Sequence, residues 1–388
     1  MAFLVADPYR TAIRNGLAIT YFADATLGGN PIAGATGLAP TGGSITDTTK
    51  PGVRRVLNLQ LAPEPGMFDR LSPIGTTLTV RARVMYTNRT TVDIPMGVFD
   101  VDTESLSEGA GGLSLTAPDK WVRVQRARFL APQASSPGLT VTAQIAALLR
   151  GALGSTEEVV VKATSTAKVA RMVWEKDRDQ AIIDLAASIG AWVYFDRNGV
   201  ATIANVPTVG SSADWLVDAS SSGVLIELDR ERSRTITRNV VVVESSAADG
   251  AKFPTTFVWD NDPTSPTYVG GGGGSGTVPP SGLSAGPFGM VPYFHDTPLP
   301  LTAAGAKAAG RTILARTTGL ASQVSLGQVP NPAVDAFDVL DVMPPKERYD
   351  IPRVLERHVV DTVTHPLALG TAQQIEGRST RTDPYSDS

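Results

Sequence analysis

The sequence predicts a mainly β protein in which a small α/β module lies between two regions of strands. Segments of alternating polar and apolar residues run through the first 130 residues and return after residue 223. Residues 137–207 instead combine apolar residues at helical spacing with short β-branched segments. A period of two is typical of half-buried strands, and a spacing of three and four is typical of helices. We therefore expect an antiparallel barrel or sandwich on each side of the module.

The composition argues against nucleic-acid binding, membrane insertion and cysteine chemistry. A chain of 388 residues can form two or three domains. A net charge of -4 gives no polybasic signature for nucleic acid or anionic lipid. No apolar segment approaches the about 20 residues of a membrane helix, so we expect no membrane insertion. The absence of cysteine excludes disulfides, thiolate nucleophiles, iron–sulfur clusters and cysteine zinc sites.

The N-terminal region predicts strands. In "RRVLNLQLA" the residues Leu57, Leu59 and Leu61 share one face, and "TTLTVRARVMY" at 76–86 repeats the alternation. The same pattern predicts strands in 91–107 and 120–129. Gly, Pro, Ser and Asp clusters lie between these segments, as turns require.

The α/β module begins with a helix predicted in 137–154. Thr140 or Thr142 is its candidate N-cap, and Gly151 is a candidate C-terminal stop. Residues 157–165 then predict a short strand.

The clearest local signal is "RDQAIIDLAASIGAWVYFDRNGVATI", Arg178 to Ile203. Asp177 is a predicted N-cap with Gln180 at the capping-box spacing, and Gly190 ends the helix. Asn198 and Gly199 then predict a two-residue type I′ hairpin turn flanked by Arg197 and Val200.

The C-terminal region predicts strands at 224–229, 235–245, 337–345 and 355–381. A long Gly/Pro loop at 261–300 and a helix at 302–318, capped by Thr302 and stopped by Gly319, lie among them. The expected regions are therefore 1–130, 131–210 and 211–381, with a frayed tail at 382–388.

Two glycine-containing motifs have the wrong context for chemistry. "GLSAG" places Ser284 in a nucleophile-elbow pattern, but prolines precede and follow it where a strand and a helix are required. Gly271, Gly273 and Gly276 match a dinucleotide fingerprint, but "TVPPSG" cannot continue as a helix. We expect neither a catalytic serine nor a nucleotide cofactor.

Acidic and histidine clusters also favour structural explanations. His358, Asp361 and His365 lie in a β-branched segment, where 358 and 361 point to opposite faces of a strand. The remaining candidates are a calcium site at Asp335, Asp338 and Asp341, and a carboxylate cluster at Asp100, Asp102, Glu104 and Glu108. Both resemble strand ends and loops, so we expect no metal, no cofactor and no enzyme activity.

Several segments together resemble a phage protein family. "GGSITDTTKPGVRRVLNLQLAP", "LSPIGTTLTVRARVMY" and "DIPMGVFDVDTESLSEGAGGLSLTAPDKWVRVQRARF" resemble the first domain of minor tail proteins from phages of actinobacteria. "DRDQAIIDLAASIGAWVYFDRNGVATI" resembles the middle module of baseplate hub proteins. "TRNVVVVES", "VPNPAVDAFDVLDV" and "ERHVVDTVTHPLALG" resemble the later barrel domain, so that the resemblance covers residues 40–381.

The resemblance implies a virion structural protein at the tail tip, made in the host cytoplasm. It implies two related β-barrel hub domains and a homotrimeric ring around the tail channel. The implied partners are a hexameric distal tail or tail tube protein, the tape-measure protein, and a tail-tip fibre or receptor-binding protein. DNA would pass through the channel without specific binding.

Two other functions remain open at this point. One is a tail-associated cell-wall hydrolase that uses carboxylates or Ser284. The other is a glycan-binding receptor module, which would display aromatic platforms, although the five tryptophans are scattered through predicted strands. The chain stops at residue 388 without an added hydrolase or adhesin region, which favours a plain hub.

Overall fold

The fold comes from a computed structural model of the chain. The structure describes residues 7–14, 18–107, 112–136, 138–206, 212–232, 234–235, 237–245, 253–270, 273–280, 286–297, 302–318, 322–345 and 355–379.

Strands dominate these residues. The helices are α1 (Asp7–Ala12), α2 (Met67–Arg70), α3 (Trp121–Arg126), α4 (Val141–Leu153), α5 (Arg178–Ser188) and α6 (Ala303–Thr318). The strands up to α4 are β1 (Ala18–Leu27), β2 (Asn30–Pro31), β3 (Pro40–Thr48), β4 (Arg55–Leu61), β5 (Thr76–Met85), β6 (Thr91–Asp100), β7 (Thr103–Leu106), β8 (Leu113–Pro118) and β9 (Gln133–Ala134).

The later strands complete the chain. They are β10 (Val159–Val161), β11 (Val173–Trp174), β12 (Ala191–Phe195), β13 (Ala201–Asn205), β14 (Trp215–Asp218), β15 (Leu225–Arg232), β16 (Val240–Ser245), β17 (Thr256–Trp259), β18 (Ser275–Gly276), β19 (Pro292–Thr297), β20 (Ser322–Gln328), β21 (Val339–Met343), β22 (Glu356–Pro366) and β23 (Gln373–Ser379).

A ten-stranded sheet joins the N-terminal and C-terminal regions. Its main path is β15-β20-β23-β22-β3-β4-β8-β7, and β21 and β14 branch from β22. The junction between the regions is the antiparallel pairing of β22 with β3, from Thr362 opposite Thr48 to Pro366 opposite Ser44. The described strands form several open sheets and no closed barrel. The expectation of two closed barrels is therefore corrected, because strands from both regions share one sheet.

The main core lies behind this sheet. Its inward residues include Leu57, Leu115, Leu326, Val363 and Ile375, which the structure buries almost completely. The second sheet, β2-β1-β5-β6, contributes residues such as Val80 to the same cluster. Burying side chains of this size stabilises a fold by about 1.5–3 kcal/mol each. The period-two alternation therefore predicts β4 and β5 correctly, because one face of each strand meets this core.

The α/β module has a core of its own. Helices α4 and α5 pack Ile145, Leu149 and Ile182 together with Phe195 of the three-stranded sheet β10-β13-β12. Thr140 is the N-cap of α4, with its hydroxyl accepting from the Ala143 N–H, as predicted. The predicted stop at Gly151 is wrong, because α4 continues to Leu153.

Two local predictions near the module need correction. Residues 121–126 are helical and not a strand, because the Asp119 carboxylate accepts the Trp121 N–H and Trp121 and Val124 enter the module core. Asp177 is the N-cap residue of α5, but its side chain makes no capping hydrogen bond. Gln180 instead donates to Asp184. Gly190 adopts a φ of 63°, as expected of a residue that ends a helix.

An inserted unit lies between β15 and β20. Its sheet has the order β18-β17-β16-β19, and α6 packs on it through Ala306 and Gly310. Thr302 caps α6 by accepting the Gly305 N–H, as predicted. Strands β18 and β19 fall inside the segment expected to be a long loop. The predicted stop at Gly319 lies outside the described residues.

Gly43 of β3 lies opposite Leu59 of β4, and its substitution tests the sheet that joins the two regions. Its φ is 108°, and a Cβ there would stand 2.1 Å from the backbone oxygen of Asn58. We expect Gly43→Ala to lower the free energy of unfolding by about 2 kcal/mol or more, because strain and a backbone clash add. Urea unfolding measures the change. Gly273→Ala is the control, since its Cβ would meet open space; equal midpoints for the two variants would contradict the expectation.

Candidate functional site

The most unusual part of the structure is a buried loop between β20 and β21. Every residue from Asn331 to Asp338, "NPAVDAFD", is buried, although the loop contains no helix or strand. Loops usually run over the surface, because buried backbone N–H and C=O groups need partners. We call residues 331–338 the junction loop. Its partners come from the N-terminal region, the module and the C-terminal region.

Two arginines at the start of β4 bind the loop together with Asp47 of β3. Arg54 makes a two-pronged ion pair with Asp47, at 2.6 Å and 2.9 Å, and donates to the Ala336 oxygen at 3.2 Å. Arg55 donates to Asp335 at 2.9 Å and to Asp47 at 3.3 Å. Asp47 also accepts the Ala336 N–H at 3.1 Å. Planar guanidinium groups suit carboxylates in this geometry.

Arg197 reaches the junction loop from the hairpin of the module. Its Nε lies 3.0 Å from both carboxylate oxygens of Asp335. Its other nitrogens donate to the backbone oxygens of Pro332 at 2.5 Å, Val334 at 2.9 Å and Pro95 at 3.1 Å. One side chain thus connects three parts of the chain.

The hairpin turn that carries Arg197 is not the predicted type I′ turn. Phe195 pairs with Ala201, and the Asp196 N–H donates to the Val200 oxygen, so three residues form the loop. Gly199 has a φ of 73°, whereas Asn198 is not among the residues with positive φ. This is the geometry of a type I turn followed by a left-handed residue. Arg197 therefore lies inside the turn and does not flank it.

Aromatic side chains pack at the contact between the module and the junction loop. Trp192 stacks on Tyr194 with ring centroids 4.1 Å apart, and it meets the Phe337 ring edge-on at 4.4 Å. The Arg54 guanidinium lies about 5 Å from both the Trp192 and the Tyr194 ring centroids. Phe337 has a φ of 74°, a strained value for a bulky residue. The surrounding packing holds it there.

Helix α1 contacts the other end of the loop. Tyr9 is buried and donates to Asn331 Oδ1 at 2.7 Å. Gln373 exchanges hydrogen bonds with the Asn331 backbone, at 3.0 Å in each direction. Gln373 also lies 2.9 Å from His365 Nδ1. Burial lowers the pKa of His365 to about 3, so His365 is neutral and accepts this bond.

The carboxylates around the loop fall into two electrostatic classes. Burial alone would raise the pKa of Asp335, but Arg197 and Arg55 hold it well below its usual range. Burial raises the pKa of Asp119 to about 6, even though it accepts backbone N–H groups of Arg54 and Arg55. Burial, followed by the charge of Asp335, raises the pKa of Asp338 to about 7.

The outward side of the ten-stranded sheet is a second candidate surface. Its side chains are exposed or half-buried, and most are small and polar: Ser44, Thr46, Thr48, Asn58, Gln60, Thr103, Ser105, Ser114, Thr116, Gln323, Ser325, Thr362, Thr364 and Gln374. We call this surface the polar face. Its carboxylates are Glu227, Asp229, Glu231 and Glu376.

Basic groups are nearly absent from the polar face. Arg378 lies on this side of β23 and is ion-paired with Asp361. Arg357, on the same side of β22, is ion-paired with Asp341. Val56 and Pro118 add small apolar areas. Exposed faces of soluble sheets ordinarily carry charges of both signs. Lys50, which follows β3, is exposed and lines one cavity with Ser325 and Glu376. A surface with so few basic groups offers few phosphate contacts to a nucleic acid.

The candidate metal and catalytic residues do not converge. His358 contacts Glu356, Asp361 contacts Arg378, and His365 contacts Gln373. Asp335 and Asp341 each bind arginine, the latter Arg357. No group of three or more metal-binding side chains occurs within the described ranges.

The remaining candidates are explained locally or lie outside the described residues. Asp100 and Asp102 pair with Arg123 and Arg126 of α3. Ser284, Gly271 and Glu108 lie outside the described residues. The five tryptophans, which fall in the described part, are buried or half-buried: Trp121, Trp174, Trp192, Trp215 and Trp259. They do not form an exposed aromatic platform.

Sequence patterns alone do not reveal the residues that matter most at the junction. They do not single out Arg54, Arg55, Asp47 or Asp119, and they suggest Asp335 only as a metal ligand. The available signal is indirect: "VPNPAVDAFDVLDV" carries part of the family resemblance, and an apolar loop with two aspartates needs buried partners. In the described part of the chain, no helix is long and apolar enough to cross a membrane.

Among known proteins, only solved structures match this chain. No family model and no curated protein sequence matches the chain. A solved tail protein from Neisseria meningitidis MC58 matches with a TM-score of 0.61 and 14% identity, over 93% of this chain and 97% of that one. The 43 kDa tail protein of prophage MuSo2 from Shewanella oneidensis matches with a TM-score of 0.54 and 13% identity, over 92% and 98%.

A third matching structure is also that of a tail protein. Prophage tail protein gp18 from Listeria monocytogenes matches with a TM-score of 0.54 and 9% identity, over 93% of this chain and 95% of that one. These matches span almost the whole length of each protein. At such low identity they establish the architecture and leave the host group of the family resemblance a prediction. The chain therefore has the fold of prophage tail proteins.

Proposed function

We propose that this chain is the structural hub of a phage tail tip, without enzyme activity of its own. In this proposal three copies form a ring around the tail channel of a phage that infects actinobacteria. The ring joins a hexameric distal tail or tail tube protein to the tape-measure protein and to a fibre or receptor-binding protein. The three regions 1–130, 131–210 and 211–381 are the expected units of this hub.

The observation that carries the proposal is the polar face on a protein with a tail-protein fold. A channel for DNA needs a wall that does not retain phosphates, and phosphate contacts come mainly from Lys and Arg. The two arginines on this side of the sheet, Arg378 and Arg357, are already paired with Asp361 and Asp341, and four further carboxylates lie on the polar face. Such a wall lets a polyanion move along it.

The junction loop supports the same function. A ring subunit must keep its shape while the tail transmits force, and a subunit with a hinge would not. Arg54, Arg55 and Arg197 connect all three regions to one buried loop. Buried, hydrogen-bonded ion pairs of this kind are strongly destabilising to break. These ion pairs therefore hold the three regions in one rigid arrangement, which is what a ring subunit requires.

The location of the chain in a virus particle tests the proposal. We expect gold-labelled antibody against this chain to mark the tip of tailed particles from the strain that encodes it. We also expect deletion of its gene to abolish infectious particles, and the wild-type gene to restore them. Label on the capsid, or on no particle, would contradict the proposal.

The same complementation assay separates a hub from a hydrolase. A gene carrying Ser284→Ala should restore infectivity as fully as the wild-type gene, because the hub needs no nucleophile. Restoration of particles that fail to infect, together with a loss of cell-wall degradation, would instead favour the hydrolase.

A further inference from the structure

The ten-stranded sheet is open at both ends of its main path. Strand β7 pairs only with β8, and β15 pairs only with β20, within the described residues. An unpaired edge presents a row of N–H and C=O groups that can bind another strand. Natural proteins usually cover such edges or pair them.

The directions of the two edges are compatible with each other. Every neighbouring pair along β15-β20-β23-β22-β3-β4-β8-β7 is antiparallel. Because the path contains an even number of alternating strands, β7 and β15 run in opposite directions. A rotation that places β7 of one copy beside β15 of the next brings them together antiparallel, with the polar faces on the same side. Antiparallel pairing is the more stable arrangement.

Both edges expose apolar side chains that a neighbour would cover. Leu106 of β7 is 42% exposed and Ile226 of β15 is 61% exposed. Phe68 of α2, which packs beside β7, and Val329, whose N–H donates to Val224 just before β15, are also exposed. Exposed apolar side chains at an open sheet edge are candidates for burial by a neighbouring copy.

A carboxylate that lacks a hydrogen-bond partner within the described part of the chain also indicates that a neighbour binds at the β7 edge. Glu104 lies on the inward side of β7, beside Leu115, and its buried Oε2 has no hydrogen-bond partner among the described residues. At the opposite edge, Arg230 lies on the inward side of β15, beside Val324. Arg230 binds Glu356 at 2.7 Å, and its side chain remains 33% exposed. A guanidinium has five N–H donors, so Arg230 keeps donors for a carboxylate of a neighbouring copy on the same side of the sheet.

We propose that β7 of one copy pairs antiparallel with β15 of a second copy, and that this head-to-tail contact closes the ring. The inference rests on the proposed hub function, because it names the contact by which identical copies assemble. A heterologous contact of this kind closes into a ring when each rotation returns to the start. We call this contact between β7 of one copy and β15 of the next the seam. The seam would cover Leu106 and Ile226 and bring Glu104 near Arg230.

The absence of cysteine makes disulfide cross-linking a clean test. We would make four double variants of the full chain that pair Thr103→Cys or Ser105→Cys with Glu227→Cys or Asp229→Cys. All four positions lie on the exposed polar face, so the folded chain tolerates them. We expect at least one pairing to give covalent dimers and larger rings after mild oxidation, because antiparallel partners place Cβ atoms within disulfide reach.

Controls separate the seam from random contact. Each single-cysteine variant should stay uncross-linked, since a head-to-tail contact never places the same residue opposite itself. A double variant in the middle of the sheet, Asn58→Cys with Gln374→Cys, should also stay monomeric on a denaturing gel. Leu106→Lys in the reactive background should reduce cross-linking at least tenfold, because a charge then lies in the apolar seam.

The possible outcomes distinguish the seam from the proposed function. No intermolecular cross-link in any of the four pairings overturns the seam, whether or not the chain forms oligomers. If gold label marks the tail tip in that case, the hub function stands and only the seam fails. Cross-links in a chain that is absent from tails would support the seam and overturn the hub.

Discussion

Replacement of Arg197 by alanine should destabilise the protein far more than replacement of an exposed arginine. Arg197 is 5% exposed, and it supplies charge and hydrogen bonds to Asp335, Pro332, Val334 and Pro95. Its removal leaves a buried carboxylate short of its main partner. Breaking one side of a buried ion pair costs about 3–5 kcal/mol. Urea unfolding followed by tryptophan fluorescence should show this loss at an unchanged slope.

Arg83→Ala is the matched control for that measurement. Arg83 makes a two-pronged pair with Asp93 that is shorter than the contacts of Arg197 with Asp335, at 2.7 Å and 2.8 Å, but on the surface of β5. Exposed ion pairs contribute little to stability, because water solvates the separated charges well. The Arg83 variant should therefore unfold at nearly the wild-type urea concentration. If both variants shift the midpoint equally, the junction loop has no special role in stability.

Stability should fall as the pH rises from 5 to 8. The pKa of Asp338 is raised to about 7 and that of Asp119 to about 6, mainly by burial, whereas an unfolded aspartate has a pKa of about 3.9. The folded state therefore holds these protons more tightly. The resulting stabilisation is complete below about pH 4 and is lost as the pH rises through the folded pKa values.

Asp335 has the opposite dependence, because its pKa is lowered in the fold. Its contribution is present above about pH 4 and is lost as the pH falls further. The two effects place the maximum stability near pH 4 to 5. Between pH 5 and pH 8 Asp338 and Asp119 together would lower the free energy of unfolding by about 4 kcal/mol, but His365, whose pKa is lowered to about 3 by burial, offsets about 2 kcal/mol of this loss, because an unfolded histidine releases its proton over the same range. We therefore expect a net decrease of about 2 kcal/mol. Urea titrations at several pH values measure this slope.

The variant Asp338→Asn isolates the main source of the slope. Asp338 Oδ2 accepts the Trp215 indole N–H at 3.1 Å and the Asp335 N–H at 2.9 Å, and a carboxamide oxygen can accept both. The variant should be more stable than the wild type at pH 8, close to it at pH 5, and less dependent on pH. Asp69→Asn, at an exposed position, should leave the slope unchanged. An unaltered slope in Asp338→Asn would assign the pH dependence to other groups.

The sequence predicts those elements whose burial repeats with a fixed period. Strands β4 and β5 and helices α4 and α6 are recognisable because the core meets the same side of each element throughout. Helix α3 is not recognisable, because "KWVRVQRARF" also alternates and the hydrogen bond from Trp121 to Asp119 decides the conformation. The turn at Arg197 differs from its prediction by one residue, because Asn-Gly is compatible with both turn types.

The junction could not be predicted from local patterns. Arg55 and Asp335 are 280 residues apart in the chain, and Arg197 and Asp335 are 138 apart. Nothing in the neighbourhood of an arginine indicates which distant carboxylate it will bind. The open ends of the sheet could not be predicted from the sequence either. Which strands lie at the edges depends on the pairing of β22 with β3, two strands that are far apart in the chain.

That pairing also determines when the protein can fold during its synthesis. Strand β3 ends at Thr48, and its partner β22 begins at Glu356, so the ribosome must add about 300 residues before the two can meet. At typical elongation rates of about 5–20 residues per second, this takes about 15–60 seconds. Until then one side of β3 lacks its neighbour, and the leucine-rich segments behind it have an incomplete core. The first strands of the nascent chain therefore remain without their C-terminal partner for this interval, and their apolar side chains are exposed to association with other chains.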